Sequence, residues 1–188
     1  MNEKRKATEN YRPDDLTIDR PIILVGLMGV GKSTVGRRLA AMLKLDFVDA
    51  DNEIEDAAAM SIAEIFEEFD EEYFRDGERR VIARLIEDRP QVIATGGGAF
   101  INDETRALIL ERGIAVWLDA NIDTLVERVN RRDTRPLLRG GNAQEILTDL
   151  AKKRNPFYAK AHVHVTSQTG PHNRMAKEII KAIQEWKS

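Results

Sequence analysis

The chain contains no cysteine. Disulfide scaffolds, zinc–thiolate sites, iron–sulfur clusters and thiol nucleophiles are therefore excluded, and a reducing compartment such as the cytoplasm is the expected location. There is also little excess charge: 29 Lys and Arg against 32 Asp and Glu leave a formal net charge of -3. A slightly acidic surface is unsuited to gripping nucleic acid as a whole, although a local basic cluster could still hold a small anion. No uncharged apolar run approaches the ~20 residues of a membrane span. The polar stretch from Met1 to Arg20 lacks the apolar block of a secretory signal. Neither nucleic acid nor membrane is expected as a partner. No internal repeat is present. With 188 residues the chain has room for one ordinary domain and a core that needs no covalent staples.

Residues 1–19 are charged and show no helical or strand period, so they read as a disordered or loosely attached arm. Residues 20–188 read as one domain in which aliphatic runs alternate with helical stripes. Expected strands are Ile22–Val25, Leu45–Ala50, Val92–Ala94, Ile114–Leu118 and Val163–Thr166. A helix follows Lys32, with Val35, Leu39, Met42 and Leu43 on one face. Ser61 and Glu64 form a capping-box pattern opening a short helix through Phe69, and a longer charged helix runs over about Glu71–Glu87. Further helices are expected over Asp103–Arg112, after Asn121, over about Ala143–Arg154 and over Asn173–Trp186. Five strands alternating with helices indicate an α/β fold, a parallel sheet between helix layers. Two segments interrupt the alternation, 51–87 and 131–154. The first leaves the carboxyl end of a strand, where ligands of open α/β sheets bind.

Gly26-Leu27-Met28-Gly29-Val30-Gly31-Lys32-Ser33 satisfies G-x-x-x-x-G-K-[ST] between a buried-type strand and an amphipathic helix. Glycines allow the backbone to curl with its N–H groups facing phosphate oxygens, and the helix beginning near Lys32 adds its positive dipole end. Lys32 would meet the β- and γ-phosphates, and the Ser33 hydroxyl would ligate magnesium. This motif predicts binding of a nucleoside triphosphate with Mg2+. The Asn-Lys-x-Asp guanine-reading element is absent, and the length leaves no room for the added domains of a motor or transporter.

The acceptor side is less specific when read residue by residue. Asp49 and Asp51, at i and i+2, could send both carboxylates the same way off the sheet edge, or form a solvated turn. Arg75 and Glu78, at i and i+3, could pair with each other at a few tenths of a kcal/mol, about the usual worth of such a pair. Gly96-Gly97-Gly98 after a strand would let a small ligand approach the backbone, or serve as a plain turn. The basic stretch Arg131–Gly141, with Arg131, Arg132, Arg135 and Arg139, is either a solvated loop or a lid that closes over the triphosphate. His162, His164 and His172 read as strand or surface residues.

Taken together these segments resemble the shikimate kinase family. The resemblance rests on GLMGVGKST (26–34), FVDAD (47–51) with Ile54-Glu55, SIAEIF (61–66), FRDGE (74–78), VIATGGG (92–98), RPLL (135–138), and Arg154 with Tyr158. It covers about Pro21 to Lys187. It implies a three-layer αβα P-loop fold of the nucleoside monophosphate kinase type, with a substrate-binding segment (about 51–87) and a lid (about 131–141). The implied reaction moves the γ-phosphoryl group of ATP to the 3-hydroxyl of shikimate, leaving ADP, within aromatic amino-acid biosynthesis. A kinase for another small hydroxy acid such as gluconate, or a non-catalytic nucleotide switch, is the alternative.

By position in the family pattern, Lys32, Asp51 and Arg135 carry catalysis. Gly29, Val30, Gly31, Lys32, Ser33, Thr34, Arg128 and Arg135 contact ATP. Arg128 is preferred over Arg131 and Arg132 beside adenine. Asp51, Phe66, Phe74, Arg75, Glu78, Gly96, Gly97, Gly98 and Arg154 surround shikimate, with Arg75 and Arg154 on its carboxylate and Asp51 on its hydroxyls. Ser33 and Asp49 stand near the magnesium. A monomer is expected.

Overall fold

A computed structural model describes residues 16–130, 142–167 and 172–188. Five strands, β1 (Ile22–Val25), β2 (Phe47–Asp49), β3 (Val92–Ala94), β4 (Ile114–Asp119) and β5 (Val163–Thr166), form one parallel sheet in the order β2-β3-β1-β4-β5. The four residues of β1 are all 0% exposed, as required of a central strand covered on both faces. Eight α-helices are described: α1 (Lys32–Leu43), α2 (Ala50–Ala58), α3 (Ile62–Glu68), α4 (Glu71–Asp88), α5 (Asp103–Arg112), α6 (Ile122–Asn130), α7 (Ala143–Tyr158) and α8 (His172–Lys187). Successive strand residues face opposite ways. Leu24 of β1 reaches Gly36 of α1, while Ile23 reaches Gly113 at the end of α5. Helices therefore cover both sides of the sheet, and α8 packs beside α1. None of the described helices is long and apolar enough to cross a membrane.

Because the strands run parallel, the chain leaves β1, β2 and β3 at the same edge. The phosphate-loop segment, the start of α2 and the triple-glycine segment thus become neighbours although 70 residues separate Gly26 from Gly96 in the sequence.

Three expectations need correction. The second strand is three residues, Phe47–Asp49, rather than Leu45–Ala50. Asp49 ends it by capping a helix, α2, that the hydrophobic pattern did not reveal. Its sequence, ADNEIEDAA, buries Ala50 and Ile54, so its apolar face is one isoleucine among alanines. The helix is instead specified by the Asp49 cap, by Asp51 and Glu53 in its first turn and by alanines. Finally, α7 does not stop at Arg154 but runs through Pro156 to Tyr158. Pro156 costs the bond to the Lys152 carbonyl and crowds that carbonyl, and the helix nevertheless continues for two residues.

Of the stretch expected to be loosely attached, 16–19 are described: Leu16 and Ile18 pack against the core, and Lys187 Nζ donates to the Thr17 carbonyl and the Asp19 carboxylate. The remainder of that stretch lies outside the described residues.

Candidate active site

The loop after β1 requires glycine at three points. Gly26, Gly29 and Gly31 have φ of 138°, 82° and 97°, in the region that disfavours side chains. At Gly26 a Cβ would also lie 2.3 Å from the Leu118 carbonyl oxygen, and at Gly29 2.8 Å from Val129. The loop delivers the chain into α1 with Gly31 as its cap, a residue with no side chain to bond the helix's first N–H groups. There is no acidic residue in that first turn, which is Lys32-Ser33-Thr34. The N–H groups of these residues have no partner within the helix, and the dipole there is uncompensated by an acid. In contrast, α2 through α7 each begin with at least one acid. Lys32 Nζ bends back to donate to the carbonyls of Gly26 (2.7 Å) and Leu27 (3.0 Å), so its charge is held at the mouth of the cradle. Val30 is 2% exposed and offers only its backbone.

Asp49 and Asp51 do not fan out from one strand face. Since Asp51 lies in the first turn of α2, their side chains diverge. Asp49 Oδ2 accepts from the Ser33 hydroxyl at 2.6 Å, and its Oδ1 accepts from the Asp51 N–H at 3.2 Å. Asp51 Oδ1 reaches Gly96, where a Cβ would stand 3.0 Å from it. One carboxylate serves the phosphate loop and the other faces the triple-glycine segment. Ser33 and Asp49 supply two hard oxygen donors, one anionic, at the head of α1. That set suits Mg2+, which takes one or two carboxylates and completes its shell with phosphate oxygens and water. Among the described residues no group of three or more His, Cys, Asp or Glu could enclose a metal alone.

The triple glycine is a junction rather than a plain turn. Thr95 starts it, with its N–H and hydroxyl both donating to the Leu24 carbonyl (3.2 and 3.0 Å). A side chain at any of the next three positions would strike the site: Asp51 and Glu78 at Gly96 (3.0 and 3.3 Å), Arg154 at Gly97 (3.0 Å), and Arg75 at Gly98 (2.5 Å). A Cβ on Gly97 would also lie 3.7 Å from the Gly26 carbonyl oxygen, so the triple-glycine segment abuts the phosphate loop.

Arg75 and Glu78 do pair, Nη1 to Oε2 at 2.7 Å, but this is no solvated helix pair: Glu78 is 2% exposed. Burial pushes the Glu78 carboxyl up, with Asp51 acting the same way, against the pull of Arg75 and Arg154. For Arg75, burial acts to lower the guanidinium, yet Glu78 and Glu71 together hold it above its ordinary value. Phe74 is buried beneath Arg75, 5.1 Å from its guanidinium, and Phe66 leans on Phe74 with ring centres 4.8 Å apart. Phe66 itself is 44% exposed and forms an open wall.

Arg128 projects from α6 to the phosphate loop, where Nη1 donates to the Val30 carbonyl at 3.1 Å and to the Ser167 hydroxyl at 3.2 Å. Arg131, Arg132, Arg135, Arg139 and the expected lid lie outside the described residues. The histidines stand apart from these loops: His162 Nδ1 accepts from the Ala115 N–H, His164 stacks on Trp117, and His172 begins α8.

Three further side chains help hold the site: Tyr158, named above only beside Arg154 and without a role, and Ser167 and Arg106, which the residue patterns did not single out. Ser167 seats Arg128. Tyr158, 0% exposed, donates its hydroxyl to the Gly97 carbonyl. Arg106 donates to the carbonyls of Phe100 (3.2 Å) and Ile101 (3.0 Å), fixing the 3₁₀ turn Ala99–Ile101 behind the glycines. The spacing of Asp103 and Arg106 reads as an ordinary helix pair, so Arg106 carries no signal of its burial in the sequence.

The shikimate kinase family model matches residues 28–184. The chain belongs to the shikimate kinase family. A shikimate kinase of Novosphingobium aromaticivorans is 62% identical over 174 residues, which span 90% of each chain. One from Caulobacter vibrioides is 57% identical over 166 residues, covering 88% of this chain and 83% of that one. Among solved structures, shikimate kinase from Acinetobacter baumannii in complex with shikimate superposes with a TM-score of 0.86 at 36% identity, over 93% of this chain and 98% of that chain. The three-layer P-loop fold expected of a shikimate kinase is thus the fold observed.

Proposed function

We propose that this chain transfers the γ-phosphoryl group of ATP to the 3-hydroxyl of shikimate, giving shikimate 3-phosphate and ADP. The observation that carries the reading is the closeness of two loops. In the segment surrounded by Asp51, Glu78, Arg75 and Arg154, a Cβ on Gly97 would lie 3.7 Å from the carbonyl oxygen of Gly26, the first residue of the phosphate cradle, so a small acid seated there has its hydroxyl beside the triphosphate end.

Each side chain then has a chemical task. Arg75 and Arg154 offer forked donors to the acceptor's carboxylate, and buried Glu78 fixes the Arg75 fork. Asp51 accepts a hydrogen bond from the acceptor hydroxyl, orients its oxygen and takes its proton as the new O–P bond forms. The bond from the γ-phosphorus to the β–γ bridging oxygen breaks, and ADP leaves with that electron pair. Lys32 and the first N–H groups of α1 stabilise charge spread over the transferring group. Ser33 and Asp49 would hold Mg2+, which supplies charge neutralisation across the β- and γ-phosphates. Arg128, bonded to the phosphate loop and to Ser167, is the proposed neighbour of the adenine. Arg135, outside the described residues, is proposed to reach the transferring phosphoryl. Arg135→Ala should then lower kcat about 10²-fold or more; a wild-type rate would remove it from the mechanism.

A gluconate kinase would need cations for its acceptor's carboxylate as well, so only the acceptor assay separates it, whereas a nucleotide switch needs no acceptor pocket. A coupled assay for ADP across shikimate, gluconate and nucleoside monophosphates, with ATP and magnesium, separates these readings. Shikimate alone should stimulate release; equal stimulation by gluconate, or none by any acceptor, would overturn the assignment. A cytoplasmic monomer is part of the same proposal, and gel filtration should give a single-chain mass.

A further inference from the structure

The hydroxyl of Tyr158 joins the helix that carries Arg154 to the loop that carries Gly97. The ring is 0% exposed, tilted against Trp117 with centres 6.1 Å apart, and its oxygen donates to the Gly97 carbonyl. A Cβ on Gly97 would lie 3.7 Å from that oxygen and 3.0 Å from Arg154 Nη1, so hydroxyl, guanidinium and peptide converge within one small volume. Arg154 precedes Tyr158 by one helical turn. Burial pushes the phenol up to about 12, with the Arg154 charge acting the other way, so the group remains a donor at every working pH.

Packing does not require this oxygen. A phenylalanine would fill the same space against Trp117, and a buried hydroxyl is costly unless it is bonded. The surrounding frame also has its own fastening. Arg106 holds the turn behind the glycines and stacks on Phe157, the residue before Tyr158, at 5.1 Å. The hydroxyl therefore acts on the site rather than on the fold.

We propose that Tyr158 is a positioning residue for the acceptor: its hydroxyl pins the Gly97 peptide to α7, so that the Arg154 guanidinium and the glycine backbone form one fixed seat. The inference rests on the shikimate kinase reading and deepens it by assigning a residue that acts through both Gly97 and Arg154.

The test is steady-state kinetics on the full chain with Y158F, R154K and the double variant. Y158F should raise the KM for shikimate about tenfold, as expected for one lost hydrogen bond, while kcat stays within about threefold and the KM for ATP does not move. The double variant should lose less than the product of the two single losses, because both act on one seat. An unchanged shikimate KM in Y158F, or fully multiplicative losses, would overturn the inference while leaving the enzyme assignment intact. A wild-type chain that neither binds nor phosphorylates shikimate would sink both. Should Y158F lose its cooperative thermal transition, 3-fluorotyrosine at 158 keeps the ring and alters only the donor. A shifted shikimate KM then supports the role and an unshifted one rejects it.

Discussion

Asp51 and Glu78 both stand against Gly96, yet their surroundings ask different things of them. Asp51, in the first turn of α2, is proposed to act on the acceptor hydroxyl. Asp51→Asn should therefore abolish turnover while calorimetric titration still records ATP binding; loss of nucleotide binding would contradict the division of labour between Asp51 and Asp49. Arg75→Ala or Arg154→Ala should each weaken shikimate affinity by about 2–5 kcal/mol, because a desolvated carboxylate is left without its partner. An unaltered affinity would exclude that arginine from the seat. Glu78 carries a pH signature. Burial raises its folded-state value above the ordinary 4.5, so the fold binds its proton more tightly than the unfolded chain does. Its contribution to stability is complete below about 4.5 and is lost as pH rises through the folded value. Thermal melts from pH 4.5 upward should show wild type losing ground to Glu78→Gln as pH rises, and a gap moving the other way would contradict the sign.

At the scale of elements, helix termini and glycines do most of the placing. The capping box of α3 is complete, with Glu64 N–H on the Ser61 hydroxyl and Ser61 N–H on the Glu64 carboxylate. Ser61→Ala should lower stability by about 1 kcal/mol, seen as a lower denaturation midpoint. Gly98→Ala would place a methyl 2.5 Å from Arg75 Nη2 and should raise the KM for shikimate with little change in that for ATP. Both features were legible in the sequence, because a cap and a glycine run are local signals. Helix α2 was not. Its apolar face is one isoleucine among alanines, too small to announce itself, so Asp49 and Asp51 read as an extended pair instead of a cap and a first-turn residue. The extension of α7 past Pro156 was hidden for the opposite reason: proline is a strong local stop, overridden here by burial of Tyr158. The end of α7 is thus decided by tertiary contacts that no short window contains, whereas α2 rests on a cap, first-turn acids and alanines, local signals too weak to stand out.

At the scale of the molecule, alternation of strand and helix was enough to predict a parallel sheet, but the order β2-β3-β1-β4-β5 was not readable from periodicity. That order sets β3 between β1 and β2, which is what brings the glycines, the phosphate loop and α2 to one edge. The phosphate loop was legible because its chemistry is contained in eight consecutive residues. The proposed acceptor seat draws on α2, α4, the loop after β3 and α7, and its residues looked individually ordinary until the family pattern joined them. The most direct measurement of the account is a crystal structure of the chain soaked with shikimate and a non-hydrolysable ATP analogue with magnesium. The account predicts the shikimate carboxylate on Arg75 and Arg154, with a ring hydroxyl on Asp51 and turned toward the γ-phosphate. Shikimate bound elsewhere, or density for the nucleotide with that seat empty at saturating shikimate, would contradict it.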